Sequence, residues 1–394
     1  MANLSTDMLP QILPGETASS ESETEETPIA LVKVKQSRKR RRKHRVKTQI
    51  RSMRILKNLT PKQVDNFMAS YIIYSLDWAD ENAMQEALGP DCQQRVGECL
   101  QDWYGIVNHM CSLGEVEKMY IPPYLQPGAS VTLSQVLYEE RMAKELNVPS
   151  NARLLDLGCG RGRVAAHMAS ITGAQVTGLN IDPDQIASAM SFNADQKLEN
   201  RFLQGDFNAL PLPFKDEEFD GFYQLQAFSL CKDLPTMCRE LYRVLKPGAR
   251  ISMLDWASLP AFNPNDPHHQ DLMTRIKPLV GAVGTPTLDS MATALQSAGF
   301  TVLESNNASI DGLQGPMIES ADNYFRYAKG AILGGVRVGL LPAHFKTLFE
   351  RFTKDGEALI EADKARLVTT SAHWLAEKPR RMGSVSVAAT AVHG

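Results

Sequence analysis

Cysteine is scarce in this chain and shows no grouping. The six cysteines (Cys92, Cys99, Cys111, Cys159, Cys231 and Cys238) form no CxxC pair and do not cluster with histidine. That spacing excludes a zinc module and a disulfide framework, so no metal is expected and a reducing compartment is. Long apolar runs are also missing. Nothing approaches the roughly 18 apolar residues that span a bilayer, and the N-terminus lacks the apolar core of a secretory signal. An excess of one charge is absent too. Lys+Arg total 42 against Asp+Glu 45, a formal net charge of -3, so no global field points to nucleic acid or an acidic substrate. No internal repeat is visible. The expectation is an intracellular protein, cytoplasmic or peripherally attached to a membrane. What is present is apolar content: 43% hydrophobic residues over 394 positions, enough for a large core and for a domain with additions.

Composition shifts divide the chain. Residues 1–48 read as a solvated tail, first Ser/Thr/Glu-rich and then basic, with seven arginines or lysines in the eight residues from Arg38 to Arg45. The basic run fits a nuclear-import signal or a contact with an anionic membrane or RNA. Residues 49–150 read as a helical N-terminal region that covers the substrate. Thr60, Pro61 and Gln63 form a helix-start signature, and Val64, Phe67, Met68, Tyr71 and Ile72 follow at helical spacing to form one buried face. From 151 to about 260 strands and helices alternate, which predicts an α/β fold: a parallel, Rossmann-like sheet with helices on both faces. Residues 261–394 add two late strands, one antiparallel, around a helical insertion that would cap the substrate.

The chemistry is concentrated where the first predicted strand ends. "LLDLGCGRGR" places Gly158, Gly160 and Gly162 between a buried strand and a helix, where missing Cβ atoms let backbone approach a ligand. The pattern is Asp156-x-Gly-x-Gly-x-Gly, not the GxGxxG of a dinucleotide site. An acid in front of the loop suits an ammonium group better than a phosphate. S-adenosylmethionine fits, with the amine on Asp156 and the methionine and ribose along the glycines. Asn180, with Ile181 after it, ends the second strand, about 20 residues on, where a ribose-binding residue belongs. Asp206 and Phe207 end the third strand, placed for the adenine amino group and ring. Gln224, in the fourth strand, completes the cofactor set.

These stretches, with "VTGLNIDPDQI", "FLQGDFNALPLP", "FDGFYQLQA", "RELYRVLKPGA" and "MLDWASLPAFNPNDPHH", resemble the class I methyltransferases, and within them the sterol C-methyltransferase branch. The resemblance runs from about Leu137 to Lys378. It implies methyl transfer from S-adenosylmethionine to carbon of a sterol or related isoprenoid. Asparagine at 180, where most class I enzymes carry an acid, is a marker of that branch. Two departures stand out. "MCSLGEVEKMYIPPYL" keeps Gly114, Tyr120 and Tyr124 but not the branch's aromatic, glycine-rich pattern. Gln226 and Leu230 occupy the places of an acid and a histidine.

Methyl transfer to an alkene carbon leaves a carbocation, which aromatic faces stabilise and a base then deprotonates. Tyr120, Tyr124, Gln226, Phe228 and Trp256 are the candidate substrate contacts, beneath the insertion at 310–366. Glu139, Tyr223 and Asp255 are the candidate catalytic groups. Methylation of a small molecule at N, S or O is the alternative. Nucleic-acid methylation is disfavoured, because the fourth strand ends in Tyr223-Gln-Leu-Gln where an (Asp/Asn)-Pro-Pro-(Tyr/Phe) would hold a flipped base. A non-catalytic binding module does not account for the complete loop.

Overall fold

The computed structural model describes residues 38–114 and 116–380. Residues 1–37 of the expected tail, its acidic stretch and Ser37 at the head of the basic run, lie outside them. From Arg38 onward the expected tail is instead helical: α1 spans Arg38–Lys57. Arginine and lysine are good helix formers, and the far end of α1 has something to pack on, since Ser52 and Leu56 are buried.

The next helix, α2 (Pro61–Ser70), starts as its sequence dictates. Gln63 N–H donates to Thr60 Oγ1 at 3.3 Å, and Thr60 N–H donates to Gln63 Oε1 at 2.9 Å. Its buried face is shorter than expected. Val64 and Phe67 point inward, but Met68 and Ile72 are exposed. The α-helix stops at Ser70 and a 3₁₀ turn takes over from Tyr71 to Ser75. A tighter period rotates the inward stripe, so Ile73 and Tyr74 are buried instead. Helices α3 (Glu81–Leu88) and α4 (Cys92–Leu113) complete this region around Phe67, Ile73, Trp78, Leu100, Trp103 and Val107.

After α5 (Val131–Leu146) the alternation begins: β1 (Arg153–Leu157), α6 (Arg163–Thr172), β2 (Gln175–Asn180), α7 (Pro183–Gln196), β3 (Arg201–Gln204), β4 (Phe219–Leu225), α8 (Leu234–Val244) and β5 (Leu245–Ser258). The third strand is shorter than "RFLQGDF" implied, and β5 already includes Lys246-Pro247-Gly248, which was expected to stop α8. Then follow α9 (Pro267–Val280), α10 (Leu288–Ser297), β6 (Thr301–Asn307), α11 (Gly315–Arg337), α12 (His344–Phe352), α13 (Gly356–Lys364) and β7 (Val368–Glu377).

The seven strands lie in the order β3-β2-β1-β4-β5-β7-β6. Strands β1 to β5 are parallel, and β7 runs antiparallel between β5 and β6. The order reverses at β1, so β1 and β4 diverge at their C-terminal ends and open a crevice there. Burial on both faces explains the continuous apolar runs of these strands, Leu154, Leu155 and Leu157 in β1 being inaccessible to solvent. The insertion α11–α13 packs on helices to either side, α12 on the N-terminal region and α13 on α9. Phe345, Leu348 and Phe349 of α12 join the N-terminal helical core.

Candidate active site

The glycine loop serves two purposes. All three glycines have positive φ: 78°, 51° and 69° at Gly158, Gly160 and Gly162. A Cβ on Gly158 would sit 2.5 Å from Ala227 Cβ, and one on Gly162 would sit 2.8 Å from Ala189 Cβ and 3.0 Å from the Phe202 ring. Those two are glycine because the turn after β4 and helix α7 press against them. At Gly160 the nearest neighbour of such an atom is Gln185 Oε1 at 3.7 Å. Only Gly160 keeps open space beside the backbone. Gly158 and Gly160 line the pocket at the strand ends, and Gly162 does not.

Asp156 lines the pocket from β1 and is buried. Its Oδ2 has no hydrogen-bond partner, and burial pushes its carboxyl up to about 7. Tyr223, its register partner on β4, is also fully buried, and its hydroxyl comes close without making a hydrogen bond. A buried acid with an unsatisfied oxygen is costly unless a cation arrives. An amino-acid ammonium supplies that cation, so the donor set fits S-adenosylmethionine at this end.

The ribose end is preorganised by a chain of buried amides. Asn180 Oδ1 accepts from Gly160 N–H at 3.2 Å, and Asn180 Nδ2 donates to Gln185 Oε1 at 2.8 Å. Gln185 Nε2 in turn donates to Asn108 Oδ1 of α4 at 2.7 Å. An aspartate at 180 could accept from Gly160 but has no N–H for Gln185, which gives asparagine a structural reason. One lone pair on Oδ1 and one proton on Nδ2 remain for hydroxyl groups. Ile181, Asp206 and Phe207 also line the pocket. Asp206 Oδ1 accepts from Asn208 N–H at 2.8 Å, leaving Oδ2 for an amino group. Gln224 stands behind the lining, where its Oε1 accepts from Ala227 N–H at 2.8 Å and shapes the turn.

Of the residues expected to meet the substrate or do chemistry, Tyr120 and Gln226 reach the pocket. Gln226, at φ 55°, is fully engaged: Oε1 accepts from Ile121 N–H at 2.9 Å, while Nε2 donates to Ile121 O and Thr370 O, both at 2.7 Å. It therefore fastens the strap that follows α4 to the end of β4. The other six fall outside the lining. Tyr124 Oη accepts from Gly128 N–H. Phe228 is buried against Phe222 and Phe207. Trp256 is buried and donates to Gly284 O. Asp255 Oδ2 accepts from Phe228 and Ser229 N–H, and Oδ1 accepts from Trp256 N–H. Burial raises its carboxyl to about 6, but both oxygens are spent holding the turn after β4. Tyr223 backs Asp156, as described.

Glu139 is also one layer back and fully buried. Lys118 Nζ lies 2.7 and 2.5 Å from its two oxygens, Tyr120 Oη donates to Oε1 at 2.7 Å, and His167 Nδ1 meets Oε2 at 2.5 Å. It touches the pocket only through Lys118 and Tyr120. Residues not anticipated also line it, among them Leu100 and Tyr104 from α4, Glu117, Lys118, Arg161, Arg163 and Gln185. Arg161 joins Ser112 Oγ at 2.6 Å and Glu117 O at 3.0 Å, tying α4 and the strap to the glycine loop. Only Gln185 carried a local sign, as the third residue after the helix-capping Asp182 beside Asn180. The expected pocket beneath 310–366 is not this one, since no residue of that span lines it.

A family model described as a methyltransferase domain matches residues 155–253. The botryococcene C-methyltransferase of Botryococcus braunii is 30% identical over 264 residues, 64% of this chain and 68% of that protein. The sterol 24-C-methyltransferase of Pneumocystis carinii is 27% identical over 269 residues, 61% of this chain and 70% of that one. A 32% match to the methyltransferase phqN of Penicillium fellutanum spans only 55% of that protein. Among solved structures, the mycolic acid cyclopropane synthase CmaA1, complexed with SAH and CTAB, superposes with a TM-score of 0.56 at 15% identity, covering 81% of this chain and 99% of that one. At that identity the likeness concerns the fold.

Proposed function

The chain belongs to the class I S-adenosylmethionine-dependent methyltransferases, and from that premise we propose that it methylates carbon of a sterol or related isoprenoid lipid. The observation that carries the methyl-donor assignment is the orphaned Asp156 oxygen under the glycine loop, with Asn180 and Asp206 at the next two strand ends. The C-methyltransferases of B. braunii and P. carinii support the acceptor class. When bound, S-adenosylmethionine supplies a methyl group made electrophilic by its sulfonium. Asp156 would hold its ammonium, Asn180 the ribose hydroxyls, and Asp206 with Ile181 and Phe207 the adenine.

The rest of the work is positioning and dryness. Holding a nucleophilic carbon in line with the methyl contributes roughly 7–11 kcal/mol as effective molarity. Tyr104 and Leu100 of α4 and Tyr120 of the strap line the pocket and would exclude water around a bound acceptor. Tyr120 also offers a route for the proton that an alkylated alkene must lose. Its hydroxyl oxygen can take that proton while passing its own to Glu139 Oε1, and His167, which is partly exposed, meets the same carboxylate. Glu139 then acts through Tyr120 and not on the substrate.

The charged lining at Lys118, Arg161 and Arg163 favours a second reading, a small polar acceptor methylated at N, S or O. Incubation with labelled cofactor and a sterol and isoprenoid panel beside amines and thiols separates the two. Label in an amine or thiol with none in any isoprenoid overturns the carbon assignment. A lipid acceptor also supports a peripheral site on the endoplasmic reticulum, with the basic run at Ser37–Lys47 near anionic lipid. No helix among the described residues is long and apolar enough to cross a membrane.

A further inference from the structure

The turn between α11 and α12 shows an inverted surface pattern. Turns normally present polar residues, yet Val338 and Leu340 here are 68% and 72% exposed, and with Tyr327 of α11 at 82% they show the largest exposures of any bulky apolar residue among those described. The turn is well formed. Gly339, at φ 74°, donates to Val336 O at 3.0 Å, and Leu340 N–H donates to Gly335 O at 2.9 Å. Leu341 turns inward, its Cδ1 3.0 Å from where a Gly335 Cβ would lie. The fold therefore partly buries one leucine and holds its neighbours Val338 and Leu340 out in water.

Charge around the turn is one-sided. Between Asp322 and Glu350 the sequence has no acidic residue, but it has Arg326, Lys329, Arg337 and Lys346. The adjoining element repeats the pattern. His344 Nε2 meets Leu56 O at 2.7 Å, which joins the start of α12 to the end of α1. That helix contains eleven arginines and lysines and no acid, and Val46 and Ile50 on it are exposed apolar residues. Exposed apolar side chains on a segment whose own charges are cationic match an anionic bilayer surface: the side chains enter the headgroup boundary and the cations meet lipid phosphates. A protein partner would be expected to meet at least some acids of this chain with its own bases.

We propose that residues 326–346, the second half of α11 and the turn into α12, together with the α1 end beside them, form a membrane-docking surface for anionic lipid. The inference is independent of the acceptor assignment, because its readout is vesicle binding and not turnover. The test is sedimentation of the full chain with phosphatidylcholine vesicles and with vesicles of about one-third phosphatidylserine. Binding to the anionic vesicles at least about tenfold tighter, weakening as salt rises, is expected. V338S/L340S removes apolar surface without changing charge and should lower that binding about tenfold, with S-adenosylmethionine affinity and melting temperature unchanged. R337E should lower it and flatten the salt dependence. Equal binding by V338S/L340S and the wild type overturns the assignment. So does failure of the wild type to bind anionic vesicles, or a dimer that V338S/L340S dissociates, which would mark the patch as a contact between copies.

Discussion

The two walls of the pocket are built by different rules. The sheet wall, from Asp156 through Asn180 to Asp206, consists of residues at consecutive strand ends, each placed by its own strand. The cover wall, formed by α4 and the strap, is held by side-chain ties across the fold: Gln226 to Ile121, Arg161 to Ser112, and Gln185 to Asn108. The contrast teaches where each kind of function is stored. Recognition of the donor's ammonium is local and robust, whereas the cover, together with the amide chain behind the ribose end, depends on distant pairs.

Breaking the sheet wall should have the largest effect. D156N removes the acid at the end of β1 under the glycine loop, and loss of a buried charge partner for the ammonium should weaken S-adenosylmethionine at least about a hundredfold by calorimetry, roughly 3 kcal/mol. The same group sets a pH dependence. With its carboxyl raised to about 7 in the free protein, Asp156 must lose a proton to bind the ammonium. Affinity in the wild type should therefore fall about fivefold from pH 7 to pH 6, and D156N should abolish that slope. The group's own effect on folding has a defined sign: a raised folded value favours the fold at low pH, and that contribution fades as pH climbs to about 7.

Two glycine variants sharpen the division within the loop. G162A places a Cβ 2.8 Å from Ala189 at φ 69° and should cost about 2–4 kcal/mol in thermal or denaturant unfolding. G160A meets no clash and should lose about 1 kcal/mol of stability, with a larger proportional loss in cofactor affinity. On the cover wall, Q226A releases the strap; turnover should drop about tenfold, with cofactor affinity within about threefold of wild type. The smallest effect belongs to the amide chain, where N108A should weaken cofactor binding about three- to tenfold, the value of one neutral hydrogen bond. Equal responses of donor affinity to Q226A and D156N would erase the distinction between the walls.

Much of the sheet wall could be read from one sequence, because it rests on local grammar. Gly158, Asn180 and Asp206 follow strands at fixed offsets, and Thr60-Pro61-Gln63 announces a helix whatever surrounds it. The cover wall was not legible in that way. Glu139 and Asp255 look alike as letters, yet one carries Lys118, Tyr120 and His167 while the other is consumed by three backbone amides. Whether a carboxylate is free for chemistry depends on where its oxygens end up, and that is decided by tertiary approach. Trp256 and Phe228 had the right character for a cation cage but the wrong direction, facing cores behind the pocket. Ile72 was misread because a 3₁₀ turn changes the period without leaving a mark in composition. The helical state of the basic run was missed because composition alone could not register the packing of Ser52 and Leu56.

Strand β7 enters the sheet between two strands made long before it. During synthesis, β5 and β6 must each wait with a bare hydrogen-bonding edge while the three helices of the insertion emerge from the ribosome. Closure of the sheet is thus a late, long-range event in the life of the chain, and a nascent polypeptide halted before residue 368 would carry two sticky margins in need of a chaperone.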